Sequence, residues 1–184
     1  NNMKPKSINS HLKPYSIEKK RRTTIAHAFA SALAPSDTYE EETVKKALTD
    51  LGQTDLKKLA CVYCTKPAQT WDHLTNLVKA GEFNGYGHQI GNLVPCCKDC
   101  NSSKGSLPFE KFVESLTDLD AERKADLVCR LKKHQKLAKE VDLSKQGEEE
   151  AKLLKEYRQI QDDVLALLKK GDQCAQQIRK IRGG

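Results

Sequence analysis

The 184-residue chain has few aromatic side chains and no long apolar segment. Aromatic residues make up 5% of the chain and charged residues 31%, so we expect a modest core with a largely helical, solvated periphery. No apolar run approaches the roughly 20 residues that a bilayer-spanning helix needs, and no charged-then-apolar signal segment opens the chain. We therefore expect a protein that has no membrane partner.

Positive charge is in excess, with 32 Lys and Arg against 25 Asp and Glu, a net charge of +7 and a pI near 9.0. A polyanion such as nucleic acid is therefore an expected partner, although a basic protein can also be merely soluble. The seven cysteines are odd in number, and four of them form pairs at two-residue spacing. This pattern favours metal-bound thiolates in a reducing cytoplasm over a secreted disulfide framework.

Two Cys-x-x-Cys pairs frame the middle of the chain, and their members are Cys61, Cys64, Cys97 and Cys100. Four thiolates fill the tetrahedral shell of a structural zinc ion and leave no open position for chemistry. The spacing selects Cys97 over its neighbour Cys96, which we expect to be a small buried residue. Cys129 and Cys174 fall in helical patterns, where we expect them to be packing residues.

Asp72-His73, Asn92 and Asn101 lie between or directly after these pairs. A carboxylate and an amide oxygen are suitable ligands for Mg²⁺, which takes phosphate oxygens as further ligands. A histidine beside such an ion can activate water for phosphodiester cleavage, because its imidazole titrates close to neutral pH. His73 could instead be a structural histidine of the core, but its position relative to Asp72, Asn92 and Asn101 favours a role as general base.

The residues just named occur in a larger pattern that resembles the zinc-containing ββα-metal kind of HNH endonuclease, over roughly residues 58–106. The stretches that carry the resemblance are 71–73, 91–95 and 97–105. The resemblance implies an α+β fold, with a ββα-metal (HNH) core braced by a four-cysteine zinc site and mainly α-helical N- and C-terminal flanks.

The same resemblance implies a role for each polar residue. Asp72 and Asn101 bind the catalytic Mg²⁺, for which Mn²⁺ is an expected substitute. His73 is the general base, and Asn92 holds the loop that positions it. Members of the family often have a histidine where this chain has Asn101, which still offers an oxygen ligand.

The periodicity of apolar residues divides the chain into three regions. Residues 1–52 form a basic arm and a helical region, 53–116 the nuclease core, and 117–184 a helical region. Helices are predicted over residues 17–33 and 40–51, the second with caps at 36–38, acidic residues in its first turn at 40–42 and a stop at Gly52. A short helix is predicted over residues 55–59.

Within the core, we predict a strand over residues 69–74, a long hairpin loop over 80–91, a returning strand at 93–94 and a short helix from Lys98. Two amphipathic helices then follow, a short one after Pro108 and a strongly basic one over residues 119–140.

A last helix begins near Glu148 and carries apolar residues at alternating spacings of four and three. They are Leu153, Tyr157, Ile160, Val164, Leu167, Cys174, Ile178 and Ile181, with Gly171 as a weak point. This seam predicts a coiled-coil contact, either between two copies of the chain as a homodimer or with the helix at 119–140. Adjacency in sequence slightly favours the second arrangement.

Several side chains are candidates for contacts with DNA. Basic residues of the N-terminal arm, among them Lys4, Lys19, Lys20, Arg21 and Arg22, belong either to a disordered solvated tail or to an arm on the phosphate backbone. Lys104 follows Asn101 by three residues, so it either contacts a phosphate or is an ordinary exposed lysine. His88 is a loop histidine that could touch the substrate. Trp71 is expected in the core rather than as a platform for base stacking.

These patterns favour a metal-dependent DNA endonuclease that hydrolyses phosphodiester bonds with a histidine base and one divalent ion. The resemblance suggests a bacterial or phage-encoded restriction or defence nuclease, located in the cytoplasm. Two alternatives stay open. One is a zinc-knuckle module that binds nucleic acid without turnover, and the other is a nuclease subunit that is active only with a partner protein.

Overall fold

The computed structural model describes residues 5–183, which form two compact units. One unit contains residues 30–145, and the other combines residues 5–29 with residues 146–183. Lys4, which was counted in the basic arm, lies outside the described residues. Within the described part of the chain, no helix is both long and apolar enough to cross a membrane.

Six α-helices, four strands and two 3-10 helices make up the described residues. The 3-10 helices are Pro5–Ser10 and Ile90–Asn92, and the strands are β1 (Thr70–His73), β2 (Val78–Lys79), β3 (Glu82–Phe83) and β4 (Leu93–Cys96). The α-helices are α1 (Ile17–Leu33), α2 (Glu41–Asp50), α3 (Lys98–Lys104), α4 (Phe109–Ser115), α5 (Ala121–Gln135) and α6 (Glu148–Ile181).

The ββα arrangement predicted for the middle of the chain is confirmed. β1 pairs antiparallel with β4, in a register that places Thr70 opposite Cys96 and His73 opposite Leu93. Because side chains alternate along a strand, Asp72 is buried while its neighbour Trp71 faces outward. α3 begins two residues after β4, so the second Cys-x-x-Cys pair sits at the start of this helix.

One apolar core joins helices from all three regions of the sequence. Leu48 and Leu51 come from α2 and the turn after it, Phe112 from α4, and Leu131 from α5, and they pack in the same cluster as Val94 of β4. Helices covering one small sheet must bury their apolar stripes against it. The predicted boundaries at residues 52 and 116 both fall inside the compact unit of residues 30–145. The nuclease segment between them shares its core with α2 and α5.

The segment over residues 80–91 is more regular than the predicted loop. β2 and β3 form a hairpin whose two-residue turn, Ala80-Gly81, has positive φ angles of 53° and 88°. Positive φ at both central residues is typical of the type I′ turn, whose twist matches that of the flanking strands. Glycine-based turn signals alone could not distinguish this short hairpin from an open loop.

Two predicted helix features are wrong because the backbone N–H groups concerned make other hydrogen bonds. Over residues 55–59, the Lys57 N–H donates to Asp55 Oδ1 at 2.8 Å, which closes a turn in place of a helix. The N-terminal cap position of α2 is Glu40 rather than a residue of 36–38. The Asp37 N–H instead donates to the carbonyl of His88 at 3.2 Å.

α5 ends at Gln135, five residues before the predicted end at residue 140. Leu137 and Ala138 donate to carbonyls three residues back, which tightens the last turn. Gly91 approaches this turn so closely that an added Cβ would lie 2.2 Å from the Ala138 nitrogen. A side chain at Gly91 would therefore push the loop away from α5.

The second unit is built around contacts between α1 and α6. The rings of Phe29 and Tyr157 lie 5.0 Å apart, and the Tyr157 hydroxyl donates to the Phe29 carbonyl at 2.9 Å. Asp172 caps the start of α1, because its carboxylate accepts hydrogen bonds from the Ile17 N–H at 2.7 Å and the Glu18 N–H at 3.1 Å. A carboxylate at a helix N-terminus satisfies unpaired N–H groups and complements the helix dipole.

The pairing of the last helix with the helix at 119–140 stays a prediction, because α5 and α6 belong to different compact units. Within its own unit, α6 contacts α1 through Tyr157 and Asp172. Leu127 and Leu131 of α5 are buried in the core of residues 30–145.

Candidate active site and metal centre

The four paired cysteines meet in one cluster. The sulfurs of Cys61, Cys64, Cys97 and Cys100 all lie within 4.8 Å of one another, and those of Cys64 and Cys97 are 3.6 Å apart. A tetrahedral ion with Zn–S bonds of about 2.3 Å requires sulfur–sulfur distances of about 3.8 Å. The donor set and its spacing therefore fit a structural zinc ion.

Burial makes these thiolates costly without a cation. It raises the pKa of the Cys64 thiol and of the Cys100 thiol above their ordinary value. A divalent ion reverses this effect because it stabilises the deprotonated sulfurs directly. Cys96 is fully buried beside Cys61, as expected. Cys129 and Cys174, however, are exposed, so their prediction as packing residues is wrong.

Asp72 is held from two directions inside the protein. Its Oδ2 accepts a hydrogen bond from the Tyr63 hydroxyl at 2.8 Å, and its Oδ1 accepts one from the Lys104 ammonium at 3.1 Å. Burial raises the pKa of Asp72, although Lys104 and Tyr63 act in the opposite direction. The result is a carboxylate that cannot change rotamer without leaving two buried partners unsatisfied.

Lys104 does not lie on an exposed helix face. Lys104 is only 1% exposed. Its ammonium donates to the Asp72 carboxylate and also to the His73 carbonyl, the latter at 2.8 Å. The sequence spacing places Lys104 on the same helical face as Asn101. In the structure, Lys104 is covered by β1, so its contacts are internal and the predicted contact with a phosphate is wrong. Lys104 fixes α3 to the end of β1, where the two candidate catalytic residues lie.

His73 ends β1 and meets a second histidine. Its Nε2 lies 3.2 Å from Nδ1 of His88, and the ring centroids are 5.2 Å apart. Desolvation lowers the pKa of His73 to about 4, with further contributions from His88 and Lys104. The imidazole is therefore neutral at physiological pH, which is the form that can accept a proton.

Asn92 is fully buried and joins the two loops that flank this histidine pair. Its Oδ1 accepts from the Thr75 N–H at 2.8 Å, and its Nδ2 donates to the carbonyls of Thr75 and Gly87, both at 3.0 Å. Thr75 follows His73 by two residues and Gly87 precedes His88. The Asn92 amide thus fixes the backbone on either side of the site.

Asn101 lies on α3, one turn before Lys104, and is half-buried. Within the described residues its side-chain amide has no hydrogen-bond partner, so its oxygen is available as a ligand. The Asp72 carboxylate also keeps acceptor capacity, because two oxygens offer about four lone-pair sites and two are used. Carboxylate and amide oxygens are ligand types that Mg²⁺ and Mn²⁺ prefer, and the Asp72 carboxylate contacts the positively charged Lys104.

Two residues near the site differ from what the sequence indicated. Tyr63, inside the first cysteine pair, bonds Asp72, and no sequence pattern indicated this contact. Trp71 was expected in the core but is 46% exposed, so that prediction is wrong. Its position two residues before His73 on a half-buried strand was the available signal, since alternation places both on one face.

The predicted DNA contacts of the basic arm lie on α1, in the other unit. Lys19, Lys20, Arg21 and Arg22 are all exposed there. Arg22 also pairs with Glu18 within the same helix. Their solvent exposure is compatible with a phosphate contact, which stays a prediction.

Comparison with known proteins agrees with this geometry over the middle of the chain. Residues 61–107 match the family model for HNH endonuclease, so the chain contains an HNH domain with a four-cysteine cluster inside it. Searches of curated proteins and of solved structures found no match.

Removing one ligand of the cysteine cluster should unfold the HNH domain. Zinc at such sites contributes on the order of 10–16 kcal/mol of apparent binding energy, and the core available to compensate is small. We expect Cys97→Ser to lose bound zinc and its cooperative thermal transition. Elemental analysis and calorimetry on the same preparation measure both effects.

Two other cysteines provide matched controls. Cys129→Ser changes an exposed thiol and Cys96→Ser a buried thiol outside the cluster, and both variants should keep one zinc per chain. Folded wild-type protein that contains no zinc would contradict the assignment, as would Cys97→Ser protein with a full zinc complement.

Proposed function

We propose that the chain is a metal-dependent endonuclease that hydrolyses phosphodiester bonds of DNA. The observation that supports this most is the end of β1, where a neutral His73 stands beside an Asp72 that is tied through Lys104 to the helix carrying Asn101. This combination of a base and two oxygen donors lies inside the HNH domain. A module that only binds nucleic acid has no need of it.

In the proposed reaction, His73 accepts a proton from a water whose oxygen bonds to the phosphorus, while the bond from phosphorus to the departing sugar oxygen breaks and that oxygen takes a proton from solvent. The low pKa of His73 keeps its ring in the neutral form, and the contact with His88 fixes the ring's orientation. Asn92 and Lys104 hold the backbone on both sides of His73, so the base keeps its place during turnover. Asp72 and Asn101 would hold a Mg²⁺ ion, which would supply Lewis-acid stabilisation of the charge that develops on the phosphate.

The rest of the chain supplies affinity for a polyanion in this proposal. The exposed basic residues of α1 from Lys19 to Arg22 and the basic side chains of α5 are the expected phosphate contacts. The proposed setting is the cytoplasm of a bacterium, with a restriction or defence role for a bacterial or phage-encoded enzyme. A subunit that needs a partner protein for activity is the second candidate, favoured by the exposed apolar stripe described below.

Replacing the base should separate cleavage from binding. We expect His73→Ala to lower the rate of plasmid cleavage in Mg²⁺ by roughly 10²–10⁴-fold, the usual contribution of a general base. DNA affinity should stay within about twofold, because affinity comes mainly from phosphate contacts. Cleavage assays and fluorescence anisotropy on one preparation test this, with His27→Ala as a histidine control outside the HNH domain. Wild-type cleavage by the His73→Ala protein would remove His73 from the mechanism.

A test of Asp72 as a metal ligand needs a substitution that keeps a hydrogen-bond acceptor for the buried Lys104 ammonium. Asp72→Ala would leave the Lys104 ammonium buried without its carboxylate, and breaking such a pair costs roughly 3–5 kcal/mol of stability. Asp72→Asn keeps one acceptor oxygen for the Lys104 ammonium, and its amide N–H can donate to the Tyr63 hydroxyl oxygen, at nearly the same size. We expect it to fold and to lose cleavage, with partial recovery at high Mg²⁺ concentration.

We further propose that α6 joins two copies of the chain. Five residues of α6 recur at strict seven-residue spacing and are all exposed; they are Leu153, Ile160, Leu167, Cys174 and Ile181. Apolar residues that recur with this period are typical of a coiled-coil seam. α1 contacts neighbouring positions of α6, through Tyr157 and Asp172. A second copy of α6 is thus the proposed cover for this heptad stripe.

Charge on the heptad stripe should make such a dimer dissociate. We expect wild-type protein to be dimeric in light scattering, and Ile160→Glu with Leu167→Glu to be monomeric and to favour nicking over double-strand cuts. Gln159→Glu with Ala166→Glu adds the same charges to the neighbouring exposed column and should stay dimeric. A monomeric wild-type protein, with and without DNA, would rule out the dimer.

A further inference from the structure

An apolar cavity of about 350 Å³ opens beside the histidine pair. Its walls include Val44, Ala47 and Leu48 of α2 and Leu93 of β4. The volume lies within the range of about 300–1,000 Å³ that is usual for small-molecule sites. Neither the proton transfer at His73 nor the metal ligands make use of it.

The cavity is continuous with the candidate active site through two of its lining residues. His88 lines the cavity and also lies 3.2 Å from His73. Trp71 lines it from β1, where it shares a strand face with His73 at a distance of about 7 Å along the strand. A DNA strand whose phosphate reaches His73 therefore has its neighbouring nucleotide at the mouth of the cavity.

The rim carries exposed aromatic surface. Trp71 is 46% exposed and Tyr39 is 74% exposed, and both line the opening. Aromatic side chains that face solvent at the edge of a nucleic-acid site are platforms for base stacking, worth about 1–3 kcal/mol per base. The aromatic surface thus suits a nucleobase better than it suits a phosphate.

The charges at the cavity also disfavour a phosphate. Among the described residues, no lysine or arginine lines it, whereas Asp37 does. Asp37 is fixed in place because its Oδ2 accepts from the Ile90 N–H at 2.7 Å. A carboxylate repels phosphate oxygens but can accept a hydrogen bond from the N–H group of a base.

A buried histidine forms part of the inner wall of the cavity. His134 lines the cavity and is only 4% exposed, with its Nε2 3.1 Å from the Leu93 carbonyl. Burial lowers the pKa of His134. A neutral ring adds no positive charge that would attract a phosphate to the cavity.

We infer that this cavity binds an unpaired nucleobase next to the phosphate that His73 addresses, with Trp71 as the stacking surface and Asp37 as an acceptor. The base comes from a single strand or is displaced from a duplex, as enzymes that handle individual bases commonly require. This inference rests on the proposed nuclease function, because that function brings the DNA strand to His73.

The chain contains a single tryptophan, so intrinsic tryptophan fluorescence reports Trp71 alone. Zinc-loaded wild-type protein is titrated, without added Mg²⁺, with a short thymidine oligonucleotide and with an abasic oligonucleotide of equal length. We expect the thymidine oligonucleotide to quench Trp71 emission. The abasic one should bind more weakly in anisotropy and leave the emission unchanged.

Substitutions at the stacking surface give an independent readout. Trp71→Ala should weaken binding of the thymidine oligonucleotide by roughly tenfold and leave binding of the abasic one unchanged. Trp71→Phe keeps an aromatic face and should bind nearly as wild type. Leu107→Ala, an exposed apolar position outside this cavity, is the matched control.

Two results would overturn the inference in distinguishable ways. If the wild-type preparation cleaves plasmid but both oligonucleotides bind equally and neither quenches Trp71, the nuclease stands and the cavity belongs to another occupant, such as an apolar side chain of a partner protein. If the preparation neither binds nor cleaves any DNA, the proposed function and this inference fail together.

Discussion

The structure depends most on the meeting of four sulfurs contributed by two distant segments. Cys61 and Cys64 precede β1, while Cys97 and Cys100 begin α3, so the cluster closes a loop that contains both strands of the ββα core. With this loop closed, a core of few large side chains suffices to hold α2, α4 and α5 on the sheet. We therefore expect zinc binding at this cluster to be coupled to the folding of the domain.

The site follows from the same closure. Fixing the start of α3 places Lys104, the last residue of that helix, against the end of β1, where it bridges Asp72 and the His73 carbonyl. A positive charge thus sits beside the carboxylate before any metal ion binds. It keeps Asp72 from being a lone buried charge, and together with burial and His88 it helps to keep His73 neutral. Structural support and tuning of the base share one residue.

The sequence was most informative where spacing alone determines geometry. Two Cys-x-x-Cys pairs predicted the sulfur cluster, and apolar periodicity predicted the helices α1, α4 and α6. Prediction failed where tertiary contacts decide. Lys104 sits at an ordinary exposed spacing from Asn101, yet β1 covers it. Trp71 is bulky and apolar, yet alternation with the buried Asp72 turns it outward. The cap that Asp172 of α6 provides for α1 joins residues 155 positions apart, which no local pattern indicates.

The central claim is that Asp72 and Asn101 hold a divalent ion beside His73. Diffraction from crystals of the zinc-loaded protein soaked in Mn²⁺, with anomalous data at the manganese edge, tests it most directly. The account predicts one manganese peak with oxygens of Asp72 and Asn101 as ligands, at about 2.1–2.2 Å, and a separate zinc peak within the four sulfurs. Manganese elsewhere, with Lys104 as the only charged partner of Asp72, would contradict the account.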